Sequence, residues 1–200
     1  MQDLFAFVQL GFRHITDLEA MDHLLFLLAL AAIYRPRDWR SALWVVSAFT
    51  VGHSVTLALA VSGVIVLPTQ LIEFLIPVTI VATCIENIVV ADRQRTPWRG
   101  QYRPVLAGVF GLVHGAGFAN YLRDVFPDRI ALPLFGFNLG IELGQVVVLA
   151  LGALVLVSVD RLIGLVGRAG VQSALRLRVV AVSSLILVVA GQWAVERNPW

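Results

Sequence analysis

Long apolar runs recur along the chain at about residues 20–34, 41–63, 70–91, 104–121, 131–158 and 178–195, parted by short polar stretches. About 20 apolar residues in helical form cross the hydrocarbon layer, so the runs predict six transmembrane helices. The first run is the shortest, and the DLEAMD segment before it supplies extra length at its outer end. Helix breakers stand at the predicted boundaries: Pro36, Pro68, Pro97, Pro104, Pro127 and Pro133. Pro77 falls inside the third run, where a kink is expected. Ahead of the first run, residues 3–14 read as a short interfacial helix whose Leu4, Phe5 and Phe12 rest on the membrane surface. This segment is unlike a cleavable signal peptide, because Asp3 stands where a basic start belongs and Arg13, His14 and Asp17 break the apolar stretch.

Composition strengthens the membrane reading. Of 200 residues, 58% are hydrophobic and 14% charged, and the mean hydropathy is +0.84. A soluble domain carries about 25% charged residues. The expected fold is therefore all-α, a polytopic membrane protein in which residues 1–200 form a single transmembrane domain. The charges also set an orientation. All 15 basic residues are arginine. Eleven of them (Arg35, Arg37, Arg40, Arg93, Arg95, Arg99, Arg103, Arg161, Arg168, Arg176 and Arg178) fall in alternate loops, against Arg13, Arg123, Arg129 and Arg197 on the other side. The positive-inside rule puts the larger group in the cytoplasm and both termini outside. Net charge +2 and pI 9.2 describe a basic chain, but no basic stripe alternates with aromatics, so no nucleic-acid partner is expected. The single cysteine, Cys84, fits a packing role. Trp39, Trp44, Trp98 and Trp193 fit interfacial anchors.

The informative residues are those that hydrocarbon should exclude. An ionisable side chain at the bilayer centre costs about 2.5–3.5 kcal/mol on insertion scales. His53 in AFTVGHSVTLAL and His114 in GVFGLVHGAGFANYL lie roughly 15–18 Å deep at 1.5 Å per residue. Glu142 in FNLGIELGQ reaches a similar depth, and Asn138, Glu142 and Gln145 share one helix face. Gly108, Gly111 and Gly115 beside His114 permit close helix approach and turn that histidine into the bundle. Thr50, His53 and Thr56 form a further polar stripe, with Ser54 adjacent. At the outer end of the first run His14, Asp17, Asp22 and His23 gather two imidazoles and two carboxylates within ten residues. Imidazole with carboxylate suits nickel, cobalt, zinc or iron(II), and the scarcity of thiolate argues against copper(I). The plain alternative is hydrogen bonding between helices. Glu73 reads as a solvated boundary residue, while Glu86 lies toward the cytoplasmic end of the third run.

Taken in order, GFRHITDLEAMDHLLFLLAL, FTVGHSVTLALA, IEFLIPVTIV, FGLVHGAGFANYL and FNLGIELGQ make the chain resemble the HupE/UreJ family of small bacterial membrane proteins. The resemblance runs from about residue 10 to 146. It implies a nickel or cobalt permease of the bacterial inner membrane, with the family's histidine and Asp-His pattern falling on His14, Asp22 and His23. The spacing from His14 to Asp22 is longer than in the nickel permeases, and FGLVHG lacks the glutamate that follows there. The resemblance thus implies metal handling more directly than it implies one metal.

The expected activity is inward movement of a divalent ion. Asp22 and His23, with His14 and Asp17, capture it at an outer site; His53, His114 and Glu142, with Asn138, hold it at a central one. Glu86 and Gln145 stand along the pathway. No GxxxxGK[ST] motif is present, so this chain does not itself hydrolyse ATP. A divalent cation gains roughly 4.6 kcal/mol per 100 mV moving inward. The expected partners are the lipid bilayer and the ion, with homo-oligomerisation or a metalloprotein partner left open. Two other readings stay open. One is an intramembrane zinc-dependent hydrolase, although neither HExxH nor GxSxG occurs. The other is a non-catalytic membrane subunit assisting a metalloprotein.

Overall fold

The computed structural model describes residues 2–17, 20–93, 101–118, 122, 131–167 and 171–200, and among the described residues all regular structure is helical. The helices in chain order are α1 (Gln2–Thr16), α2 (Met21–Ala31), α3 (Trp39–Val61), α4 (Thr69–Arg93), α5 (Arg103–Gly117), α6 (Ala131–Gly167) and α7 (Val171–Glu196). Their ends follow local chemistry. A single 3-10 turn, Pro36–Asp38, leads into α3 and is held by the Arg35 N–H donating to Asp38 at 3.2 Å. Gly63, at φ 75°, ends α3 in a left-handed turn in which the Val64 N–H reaches back to the Leu59 carbonyl at 2.9 Å. α5 starts with Pro104 in its first turn, where a missing N–H costs nothing. α4 runs as one helix through Pro77.

Polarity is inverted relative to a water-soluble bundle. Trp44, Val51, Phe135, Leu154, Leu185 and Val188 face outward and exposed, while His53, Asn87, His114, Gln145, Arg178 and Ser183 are buried. Four helices are long and apolar enough to cross a bilayer: Pro36–Val61, Thr69–Ala91, Ala131–Leu162 and Ser173–Glu196. The chain is a multi-pass membrane protein. The expected count of six is met only for these four. α2 has 11 residues, a rise of roughly 16 Å, and α5 has 15; the expected end of the fourth span, residues 119–121, lies outside the described residues.

Three tight helix pairs build the core: α3 with α5, α1 with α6, and α4 with α7. Glycine sets the first two. A Cβ added to Gly111 would stand 2.1 Å from the Phe49 carbonyl oxygen, and one on Gly115 2.2 Å from that of His53. On the other pair, a Cβ on Gly11 would stand 1.9 Å from Phe137 O and one on Gly140 2.0 Å from Val8 O. Backbones touch at these points, so helix association rests on packing where lipid offers no hydrophobic drive. The short α2 touches α1, α3, α4, α6 and α7 and lies at the middle of the assembly.

Three sequence expectations change. The N-terminal segment is helical, but α1 is docked along α6, with Leu4 and Phe7 against Gly136; of the three residues expected on the membrane surface, Phe5 is fully outward at 70% exposure. The expected loop after the fifth run is shorter, because α6 continues to Gly167 and α7 begins at Val171. Finally, Arg103 and Arg178 are not loop cations. Both are buried and ion-paired, to Glu86 and Asp160. Their removal leaves the arginine bias pointing the same way. Arg95, Trp98, Arg99, Arg123, Arg129 and Arg168 lie outside the described residues, as does the side chain of Arg93.

Candidate metal centre

Four helices each carry one histidine into a common space. Ring centroids are 4.7 Å apart for His14 and His23, 5.3 Å for His23 and His114, 6.1 Å for His23 and His53, and 6.2 Å for His14 and His53. A metal about 2.1 Å from each coordinating nitrogen places imidazole centroids about 5 Å apart. The spacing therefore suits rings arranged around one ion. The sequence expectation of separate outer and central histidine sites is replaced by a single cluster. Two features contribute: Gly111 and Gly115 bring α5 onto α3 around His53, and α1 lies docked along α6 instead of on the membrane surface, which carries His14 into the bundle.

The ring nitrogens divide into two sets. His23 Nδ1 lies 3.0 Å from Asp22 Oδ1, which also accepts the His23 backbone N–H at 2.8 Å. The carboxylate accepts, so Nδ1 carries the proton and the Nε2 lone pair is left for a ligand. His114 Nε2 lies 3.0 Å from Thr79 Oγ1, and that hydroxyl donates to the Ile76 carbonyl at 2.7 Å. With its own proton committed, Thr79 accepts from Nε2–H, and the His114 lone pair sits on Nδ1. His14 Nε2, His23 Nε2, His114 Nδ1 and both nitrogens of His53 are buried with no hydrogen-bond partner among the described residues. Aromatic walls enclose them: Phe118 packs 4.0 Å from the His14 ring, and Phe26 and Phe49 stand 5.0 and 5.1 Å from that of His114. Among the described residues, no three or more His, Cys, Asp or Glu side chains form a metal-holding group.

A cavity of about 740 Å³ leads to the cluster, reaching His14, His23 and His114 while His53 lies fully buried behind them. Asp17, Asp22 and Glu73 line it, together with Arg13 and Arg197. Asp17 is therefore at the mouth, and Glu73, which the sequence reading leaves as a boundary residue, shares the wall with it. Thr79 is the other residue that sequence alone misses. The signal was present, since Thr79 lies on the same α4 as Glu73 and Ile76, but nothing in the pattern pairs it with His114 on α5.

The remaining expected residues sit elsewhere. Glu142 accepts from Ser47 Oγ at 2.5 Å, and Ser47 lies six residues before His53 on α3, roughly 9 Å along the axis. Gln145 accepts from Thr50 Oγ1 at 2.7 Å, while its Nε2 and Asn138 Oδ1 are buried without partners among the described residues. Glu86 is bound by Tyr102 and Arg103, not presented as a free carboxylate. Burial and that neighbouring carboxylate push the Tyr102 phenol above its ordinary range, keeping it a donor.

No curated protein and no solved structure matches the chain. A family model described as HupE / UreJ protein matches residues 1–197, and the chain belongs to the HupE/UreJ family.

Proposed function

We propose that this protein is a permease for a divalent transition-metal ion, of the nickel or cobalt type, in the bacterial inner membrane. The observation that carries the reading is the set of five buried imidazole nitrogens, without partners among the described residues, on four converging histidines. Each buried polar atom left without a partner costs about 1–3 kcal/mol, and a coordinated cation satisfies several at once. Asp17, Asp22 and Glu73 on the cavity wall favour a cation, and membership of a family linked with nickel and cobalt favours cargo over a resident cofactor. On this reading His14, Asp22, His23, His53 and His114 bind the ion after small ring rotations. Asn138, Glu142 and Gln145 line a polar seam between α3 and α6 on its way inward, and Glu86 sits in a closed inner gate. α2 and α5 complete two further crossings with adjoining residues, giving six spans in one domain and both termini in the periplasm.

The test is uptake into proteoliposomes, with metal content of the purified protein measured alongside. Wild type accumulates nickel or cobalt, and His23→Ala and His114→Ala lower both binding and flux by at least about tenfold. Metal binding without flux in wild type sinks the permease reading; unchanged binding in both variants sinks the centre itself.

A further inference from the structure

A second concavity, of about 290 Å³, lies between α2, α3 and α6 and includes no histidine. Its walls are apolar, formed by Leu43 of α3 and by Val146, Leu149 and Ala153 of α6. From Val146 to Val157 the α6 wall runs roughly 16 Å, about the depth of one leaflet of a ~30 Å hydrocarbon layer. At its arginine-rich end stand Tyr34, Arg35, Trp39 and Arg178. Arg178 is 1% exposed, donates Nη1 to Asp160 at 2.5 Å and Nη2 to the carbonyls of Ala32 and Tyr34 at 3.0 and 2.9 Å, and has a buried Nε with no partner among the described residues. The half-buried Arg35 guanidinium has no ion-pair partner among the described residues, since Asp38 takes the Arg35 backbone N–H and lies 3.8 Å from Arg37. Two guanidiniums thus stand at the groove, Arg178 ion-paired with Asp160 and Arg35 linked to Asp38 through its backbone N–H alone.

We infer that this groove binds one anionic phospholipid, its acyl chain along α6 and its phosphate at Arg35 in front of Arg178. An apolar trough answers the chain, and the Arg35 guanidinium, without an ion-pair partner among the described residues, answers the phosphate, for which guanidinium is the favoured donor. Trp39, 56% exposed and stacked under Arg40 at 5.3 Å, lies at headgroup level, where amphipathic indoles concentrate. A zwitterionic lipid fills the trough equally well but brings its own cation to the arginines.

The experiment compares phosphatidylglycerol with phosphatidylcholine of the same acyl chains, added to the purified full chain in detergent, reading bound lipid by native mass spectrometry and the shift in thermal unfolding. Wild type prefers phosphatidylglycerol. Arg35→Gln lowers that preference about fivefold, the value of one arginine near an anionic headgroup, whereas Arg37→Gln, exposed and outside the groove, leaves it unchanged. Ala153→Trp, which fills the trough, removes the bound lipid while leaving Arg35 in place. Equal affinity for the two lipids in wild type, equal effects of the Arg35 and Arg37 variants, lipid retained by Ala153→Trp, or the same shift from inorganic phosphate alone each overturns the proposal. None of these readouts depends on metal binding or flux.

Discussion

The two ends of the bundle treat buried polar groups in opposite ways. Around the histidines, five ring nitrogens lack partners among the described residues, the walls are aromatic, and a cavity of about 740 Å³ reaches the rings. At the arginine-rich end the side chains interlock. Glu86 holds Tyr102 and Arg103, Arg103 donates to Asn87 Oδ1 at 2.9 Å, and Asn87 donates to the Ala29 carbonyl at 2.7 Å and to Ser183 at 3.3 Å. Arg178 ties Asp160 to the carbonyls of Ala32 and Tyr34, just past the end of α2. Both ends bury costly groups, but only one satisfies most of them internally. The contrast separates tasks: the arginine end secures the short α2, whose C-terminal carbonyls would otherwise lie bare in an apolar interior, while the histidine end stays open to an added ligand.

The sharpest way to break this comparison is at Arg178. Arg178→Ala leaves the Ala32 and Tyr34 carbonyls without their donor and the partly exposed Asp160 without its cation. Removing one partner of a fully buried ion pair costs about 3–5 kcal/mol; with Asp160 29% exposed the loss lies toward the lower end of that range and is read by thermal or denaturant unfolding in detergent. The double variant Arg178→Met with Asp160→Leu recovers much of it, because a matched apolar pair leaves no lone charge. A single variant as stable as wild type would deny this end its structural role.

The opposite result is expected at His53. Neither of its nitrogens makes a hydrogen bond within the described residues, so His53→Leu removes no internal bond and unfolding does not become easier. Nickel or cobalt affinity, measured by equilibrium dialysis, falls by about 100-fold, roughly 2.7 kcal/mol. If the leucine variant unfolds readily yet binds metal as before, the histidine end is structural and the contrast between the ends fails.

How much of this was legible beforehand follows from the range over which each signal acts. The helices come from local periodicity and breakers, and α3 and α4 fall within two residues of their expected bounds at each end. The histidines also stand out in sequence, His53 and His114 as anomalies in apolar stretches and His14 and His23 as part of a histidine–aspartate cluster. Their single cluster was not legible. Depth counted along each helix separates His14 and His23 from His53 and His114, because it takes α1 to rest on the surface, whereas α1 is docked along α6 within the bundle. The same limit hid the partners of Arg103 and Arg178, which look like loop cations until the facing helices supply Glu86 and Asp160. Glu142 shows the error in reverse: depth alone grouped it with the histidines, while its hydrogen bond goes to Ser47.

The smallest effect expected concerns Thr79, and it tests how the open end is organised. Its hydroxyl accepts from His114 Nε2 at 3.0 Å while donating to Ile76 O at 2.7 Å, which assigns the His114 lone pair to Nδ1. Thr79→Val keeps the side-chain shape and removes the acceptor. The ring then samples both tautomers and more than one orientation, and a metal pays to select the productive state. Outer partners of a coordinating histidine are typically worth 10–100-fold in metal affinity, and a neutral hydroxyl belongs at the lower end, about tenfold. Thr79→Ser keeps the acceptor and restores most of that affinity, so the pair separates hydrogen bonding from packing. Stability responds little in either variant, since Thr79 joins no ion pair of the arginine end. If valine and serine weaken binding equally, Thr79 acts through packing alone and His114 presents its lone pair without this hydroxyl's help.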